Sequence, residues 1–146
     1  MFVEDFSVHD IAVCTPNDIE ATGANLKDVE LETILLLNQY YLLVKRKIVL
    51  LPNGLTSGKH MSINHPRGRA VDIAFADTEG PLNIYKAWKK AIQAGWTGIG
   101  IYWNGTAYSM HLDRRKDVAF WAGTKAHREK NWRYVSVFQD PKNLES

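Results

Sequence analysis

Three features of the sequence predict an α+β fold, a single compact domain with helices packed on a small antiparallel sheet. Apolar residues recur at three- and four-residue steps from about Leu26 to Lys47, and again from Leu82 to Ala94, which is the period of a helix with one buried face. Short β-prone runs lie between and after them, and two of these flank Asn104-Gly105, the dipeptide most favoured by a two-residue hairpin turn. With 146 residues, 45% of them hydrophobic, the chain is long enough to bury one core and too short for two.

In chain order, Thr15 stands as an N-cap with Pro16 at the first helical position, so a short helix begins here and stops at Gly23. In the first long helix Val29, Leu31, Ile34, Leu35, Leu37, Tyr41, Leu42 and Val44 carry the period. Acids come early and Lys45-Arg46-Lys47 late, which suits the helix dipole. Residues 47–51 form a strand that ends at Pro52-Asn53-Gly54, and the polar loop Thr56-Ser57-Gly58-Lys59-His60 follows. Val71 to Phe75 reads as a strand with Asp72 on the face opposite Val71 and Ile73. The run Asp77 to Pro81 starts the second long helix, whose Ile84, Trp88, Ala91 and Ile92 line one face and which Gly95 closes. The hairpin strands, 98–103 and 106–113, place Ser109, His111 and Asp113 on one side and Met110 and Leu112 in the core. From Phe120 to Phe138 the chain is aromatic and basic without clear periodicity and is expected to wrap the domain.

Composition narrows the function classes. A net charge of +2 demands no nucleic-acid footprint, although a polyanionic surface such as a bacterial wall is tolerated. Cys14 is the only cysteine, which excludes an intrachain disulfide and a thiolate metal site. The N-terminus lacks the basic and apolar regions of a signal peptide, and no run reaches the roughly 18 apolar residues of a membrane span. The expectation is a soluble monomer made in the cytoplasm.

Residues 65–73 read His-Pro-Arg-Gly-Arg-Ala-Val-Asp-Ile, a histidine and an acid seven residues apart across a glycine bend, and His111 lies on the hairpin. Zinc takes imidazole nitrogen and carboxylate oxygen, and a catalytic site keeps three protein ligands and an open position. His65, Asp72 and His111 supply such a set, a zinc site on the sheet. On spacing alone, His65 and Asp72 can equally be an unrelated loop histidine and surface acid.

These residues resemble a family. His65, Gly68, Ala70, Asp72 and Ile73, then Gly98-Ile99-Gly100-Ile101-Tyr102, then His111-Leu112-Asp113 and Phe120-Trp121 are similar to the zinc peptidases that cut D-alanyl-D-alanine and related cell-wall peptide bonds. That family includes bacterial carboxypeptidases, VanX- and VanY-type enzymes and phage endolysins, and its wider superfamily includes lysostaphin- and hedgehog-like proteins. The resemblance covers roughly residues 34–121. It implies a Zn2+ peptidase acting on a peptidoglycan stem peptide or cross-link, as carboxypeptidase or endopeptidase. The lack of a signal peptide favours a phage-released or virion-associated protein over the alternative of a host enzyme.

The chain departs from the family at three places. Where the family has Ser-Gly-Tyr-Arg before the first ligand, the chain has Ser57-Gly58-Lys59-His60, so His60 stands in place of the arginine. The family serine two residues before that ligand is Ile63, and an acid three residues before the last histidine is Tyr108. A zinc-bound water still needs a partner that passes its proton to the leaving amine. Asp113 and His60 are the catalytic candidates, Asp113 as acid/base or as the group that orients His111, His60 as base, as a cation opposite the oxyanion, or as an ordinary loop histidine. Lys59, Arg67 and Tyr108 are the candidates for substrate binding. The alternative to an enzyme is a binding or structural module of the cell wall or virion that keeps the peptidase fold and does not cut.

Overall fold

Helix α1 (Pro16–Ala21) starts where the capping chemistry places it. The Thr15 hydroxyl accepts the Asp18 backbone N–H (3.2 Å) and the Asp18 carboxylate accepts the Thr15 N–H (2.7 Å), a reciprocal capping box. The computed structural model describes residues 13–58, 63–76 and 82–124 and the backbone of 133–136. Lys59, His60, the run Asp77 to Pro81, Trp132, Val137 and Phe138 lie outside the described residues.

The first long helix, α2, is shorter than the periodicity suggests, spanning Leu31–Val44 after a single 3-10 turn at Leu26–Asp28. Val29 is extended at φ −99° and ψ 121°. Next to it, the Glu30 N–H donates to the Gly68 carbonyl (3.2 Å) and not to the preceding turn. At the other end Lys45 takes a left-handed φ of 53° and stops the helix. Leu35 and Leu42 lie on the outer face, 42% and 57% exposed. Helix α3 (Ile84–Ala94) begins at an Asn83 cap, whose side chain accepts the Lys86 N–H (3.1 Å), and ends at Gly95 with φ 113°.

The strands are β1 (Ile48–Leu50), β2 (Ala70–Phe75), β3 (Gly98–Trp103), β4 (Tyr108–Asp113), β5 (Ala119–Thr124) and β6 (Arg133–Ser136). They form one sheet in the order β1-β2-β4-β3-β5-β6. The α+β architecture with helices on a largely antiparallel sheet is as expected, and one pair, β3 with β5, is parallel. The region after Phe120 does not simply wrap the domain, since its described parts extend the sheet as β5 and β6. At the hairpin the turn falls one residue later than Asn104-Gly105. Asn104 N–H donates to Ala107 O (3.2 Å), and the Asn104 side chain accepts the Thr106 and Ala107 N–H groups (2.8 and 2.9 Å).

The core lies between the sheet and the two long helices. Ile34, Leu37, Tyr40, Ile84, Trp88 and Ala91 bury themselves with Ile73, Ile99, Met110 and Leu112, while Ile92 is 38% exposed. The Tyr40 hydroxyl donates to the Ala87 carbonyl (2.8 Å), which satisfies a polar group that burial would otherwise penalise. Strand alternation puts one cross-strand row, Asp72, His111, Gly100 and Trp121, in direct register on the opposite face. Among the described residues no helix is long and apolar enough to cross a membrane.

Candidate metal centre

The bend that presents His65 closes on its own backbone. Gly68 N–H donates to His65 O (2.9 Å) and Arg69 N–H to Asn64 O (2.9 Å). Gly68 sits at φ +73°, and a Cβ there would lie 2.2 Å from the Asp28 carbonyl oxygen, so the position admits only glycine. The Glu30 carboxylate holds the bend against α2 by accepting from Arg69 Nε (3.0 Å) and Arg114 Nη1 (2.8 Å). Strand β2 then carries Asp72 into direct register with His111 on β4.

The three expected ligands converge. His65 Nε2, Asp72 Oδ1 and His111 Nδ1 form a triangle with edges of 3.2, 3.1 and 3.0 Å. Tetrahedral zinc with bonds of about 2.05 Å would set its ligand atoms roughly 3.3 Å apart, close to this spacing. Both histidines are buried, and Asp72, 28% exposed, marks the side from which solvent reaches the triangle. The bland reading, in which His65 and Asp72 are unrelated, does not hold.

Each imidazole is fixed by its outer nitrogen. A carbonyl only accepts, so the contact of His65 Nδ1 with Leu55 O (2.7 Å) places a proton on Nδ1 and leaves Nε2 as a lone pair aimed inward when the ring is neutral. His111 Nε2–H donates to Asp113 Oδ2 (2.7 Å), which turns Nδ1 inward. Three electron-rich atoms this close repel unless a positive charge lies among them. A proton can serve at His111. Burial disfavours its charged form, but hydrogen bonds to Asp113 and Asp72 outweigh that and raise its pKa. Burial likewise pushes Asp72 up, but hydrogen bonds from His111 and His65 win and hold it at about 2. A divalent cation satisfies all three at once, and His65, Asp72 and His111 are a set that could hold a metal ion.

Asp113 stands behind His111, away from the triangle. It is fully buried and bonds His111 on the nitrogen remote from the triangle. Its second partner is Arg115, whose Nε–H and backbone N–H donate to Oδ1 (2.8 and 3.1 Å). Burial raises the Asp113 pKa, and hydrogen bonds from Arg115 and His111 overcome this and hold it well below the usual carboxylate range. This is the geometry of a group that orients His111, one of the two readings of the sequence. Tyr108 lies on the face of β4 opposite His111. It alternates with His111, its ring packs on Trp103 (4.6 Å) and it borders the core. Arg67 is exposed on the bend between His65 and Asp72.

Sequence reasoning missed Leu55, which acts through its backbone, as well as Arg115 and the bond from Trp121 Nε1–H to the Tyr102 hydroxyl (2.7 Å). The Trp121 ring lies 5.3 Å from His111, with the Arg115 guanidinium 4.8 Å over it. Two glycines make room for this group. A Cβ on Gly98 would meet Asp113 Oδ1 at 2.0 Å, and one on Gly100 would meet Trp121 Nε1 at 2.4 Å. Comparisons of the chain with protein-family models, curated proteins and solved structures found no match.

Proposed function

We propose that the protein is a zinc-dependent peptidase of peptidoglycan, cutting a peptide bond that involves a D-residue of the stem or cross-link. The observation that carries this reading is the triangle of His65 Nε2, Asp72 Oδ1 and His111 Nδ1, with both outer imidazole nitrogens already committed to other partners. Two imidazoles and one carboxylate, with a side open to solvent, are the ligand set of a hydrolytic zinc site. The resemblance of residues 34–121 to the D-alanyl-D-alanine peptidases supports the substrate class and the endolysin-like role at the cell wall. Bound zinc supplies a water acidic enough to attack near neutral pH and polarises the scissile carbonyl.

The chain's own residues divide the remaining work. Leu55 and Asp113 orient the two imidazoles. Proton transfer to the leaving amine falls to a group other than Asp113, and His60, five residues before His65, is the one assigned here. Lys59 and Arg67, either side of His65, are assigned to the substrate's carboxylate and carbonyl groups. A second reading is favoured by one observation. The acid on the His111 strand is committed to positioning, and Tyr108 stands where the family has its acid, as expected of a module that binds the wall or virion without cutting.

The deciding experiment incubates purified muropeptides with the protein, with and without chelator, and reads the products by mass spectrometry. Metal analysis runs alongside, because iron(II) also accepts two histidines and a carboxylate. Cleavage at a D-residue bond that chelator abolishes is expected, with close to one zinc per chain. One zinc per chain without cleavage overturns the enzyme in favour of the binding module, and cleavage by the His60→Ala variant at the wild-type rate removes His60 from the mechanism.

A further inference from the structure

We infer that Arg115 is a positioning residue for the metal ligand His111, acting through Asp113 on one edge of the imidazole and through Trp121 on its ring. The inference rests on the reading of the triad as a divalent-metal site and does not depend on which substrate is cut.

A carboxylate that holds an imidazole by one hydrogen bond leaves two freedoms. The carboxylate can turn about its own bond, and the ring can tilt about the Nε2–Oδ2 line. Arg115 removes the first. Its Nε–H donates to Asp113 Oδ1 (2.8 Å), its Nη2–H to Oδ2 (2.5 Å) and its backbone N–H to Oδ1 again (3.1 Å), so both oxygens are fixed in plane and Oδ2 remains aimed at His111 Nε2. The same guanidinium addresses the second freedom. It lies 4.8 Å over the Trp121 ring, whose centroid is 5.3 Å from that of His111 at an interplanar angle of 44°. Trp121 cannot slide away, because its Nε1–H is tied to the Tyr102 hydroxyl (2.7 Å).

The neighbouring strand is built around this assembly. Gly98 and Gly100 are the two β3 residues paired with Asp113 and His111. A Cβ on Gly98 would fall 2.0 Å from Asp113 Oδ1 and 2.4 Å from Arg115 Nε, and a Cβ on Gly100 would fall 2.4 Å from Trp121 Nε1. The space that two side chains would take is occupied by the groups that orient the ligand. The adjacent Lys116 is an internal control, since it carries the same charge at an exposed position.

The test measures zinc affinity by competition with a chromogenic chelator, and the visible absorption bands of the cobalt(II)-loaded protein, in the full-length chain. Arg115→Gln, which loses the fork and the charge, is expected to weaken zinc binding about 10–100-fold, the usual effect of removing a group that orients a ligand, and to shift the cobalt bands. Arg115→Lys, which keeps the charge without the fork, should fall between Gln and wild type. Lys116→Gln, which removes a neighbouring charge at an exposed position, should leave zinc affinity and cobalt bands unchanged. The proposal is overturned if Arg115→Gln binds zinc with wild-type affinity and bands, or if Lys116→Gln weakens zinc as much as Arg115→Gln does. Should Arg115→Gln not fold, Arg115→Lys decides by the same two readings. A wild-type protein that takes up neither zinc nor cobalt overturns the metal reading itself, an outcome distinct from either.

Discussion

At the residue scale, a histidine ligand is defined as much by its outer nitrogen as by the one it offers the metal. His65, Asp72 and His111 were legible as a set because their chemistry resides in side chains and the motifs around them resemble a family's, whereas spacing alone left His65 and Asp72 undecided. Leu55 was not, because it contributes a main-chain carbonyl that its side chain does not advertise. Arg115 was hidden too, in the run Arg114-Arg115-Lys116, where only folding shows that one arginine turns to Asp113 and its neighbour to Glu30. The assignment of Asp113 yields a definite expectation. Asp113→Asn keeps the shape but sets an amide NH2 group against the donors of either His111 or Arg115, and should weaken zinc affinity about 10–100-fold. Activity on muropeptides, if present, should recover in excess zinc, as measured by titrating zinc back into the chelated variant. A fall in kcat at full zinc occupancy would return Asp113 to the acid/base role.

At the element scale, periodicity located both long helices, and a backbone contact from far along the chain moved one of their ends. Glu30 is drawn to Gly68, 38 positions on, so α2 starts later than its apolar pattern. Strand β5 went unread because Phe120-Trp121 lacks the alternation of a half-buried strand, its partner face being taken up with Arg115 and His111. The contact between Glu30 and Gly68 makes the glycine bend the joint on which His65 depends. Gly68→Val adds a branched side chain at φ +73°, with its first carbon 2.2 Å from the Asp28 carbonyl, and should cost more than about 3 kcal/mol of stability as well as zinc affinity. Gly105→Ala, at φ +97° in the exposed hairpin turn, carries the same backbone penalty without the clash and should cost about 1 kcal/mol with no change in zinc. Equal melting temperatures for the two variants would mean that the segment Asp28 to Glu30 gives way and the bend is not tight.

At the scale of the whole molecule, the α+β class could be read from the alternation of periods, whereas the parallel pairing of β3 with β5 could not, because it depends on the order in which strands meet after β4. The face of that sheet that carries Asp72, His111 and Asp113 couples folding to protons, and its pH dependence follows in sign. In the metal-free protein the depressed pKa values of Asp72, at about 2, and Asp113 add stability that is present above the unfolded value of about 3.9 and lost as pH falls through the folded values. The raised pKa of His111 adds stability that is fully present below its unfolded value of about 6.5 and lost as pH rises through the folded one. The metal-free melting temperature should therefore be highest between about pH 4 and 6.5 and decline on the alkaline side. On the proposed zinc site that side is expected to reverse. Zinc held by the Nδ1 lone pair of His111 would displace a proton, bind more tightly as pH rises, and stabilise the folded state in proportion to the logarithm of its excess over Kd. Melting curves at about pH 5.5 and pH 8, with zinc and with chelator, should show a zinc-induced rise several-fold larger at the higher pH. A rise of equal size at both would mean that no proton leaves His111 when the metal binds, and that its Nδ1 is not a ligand.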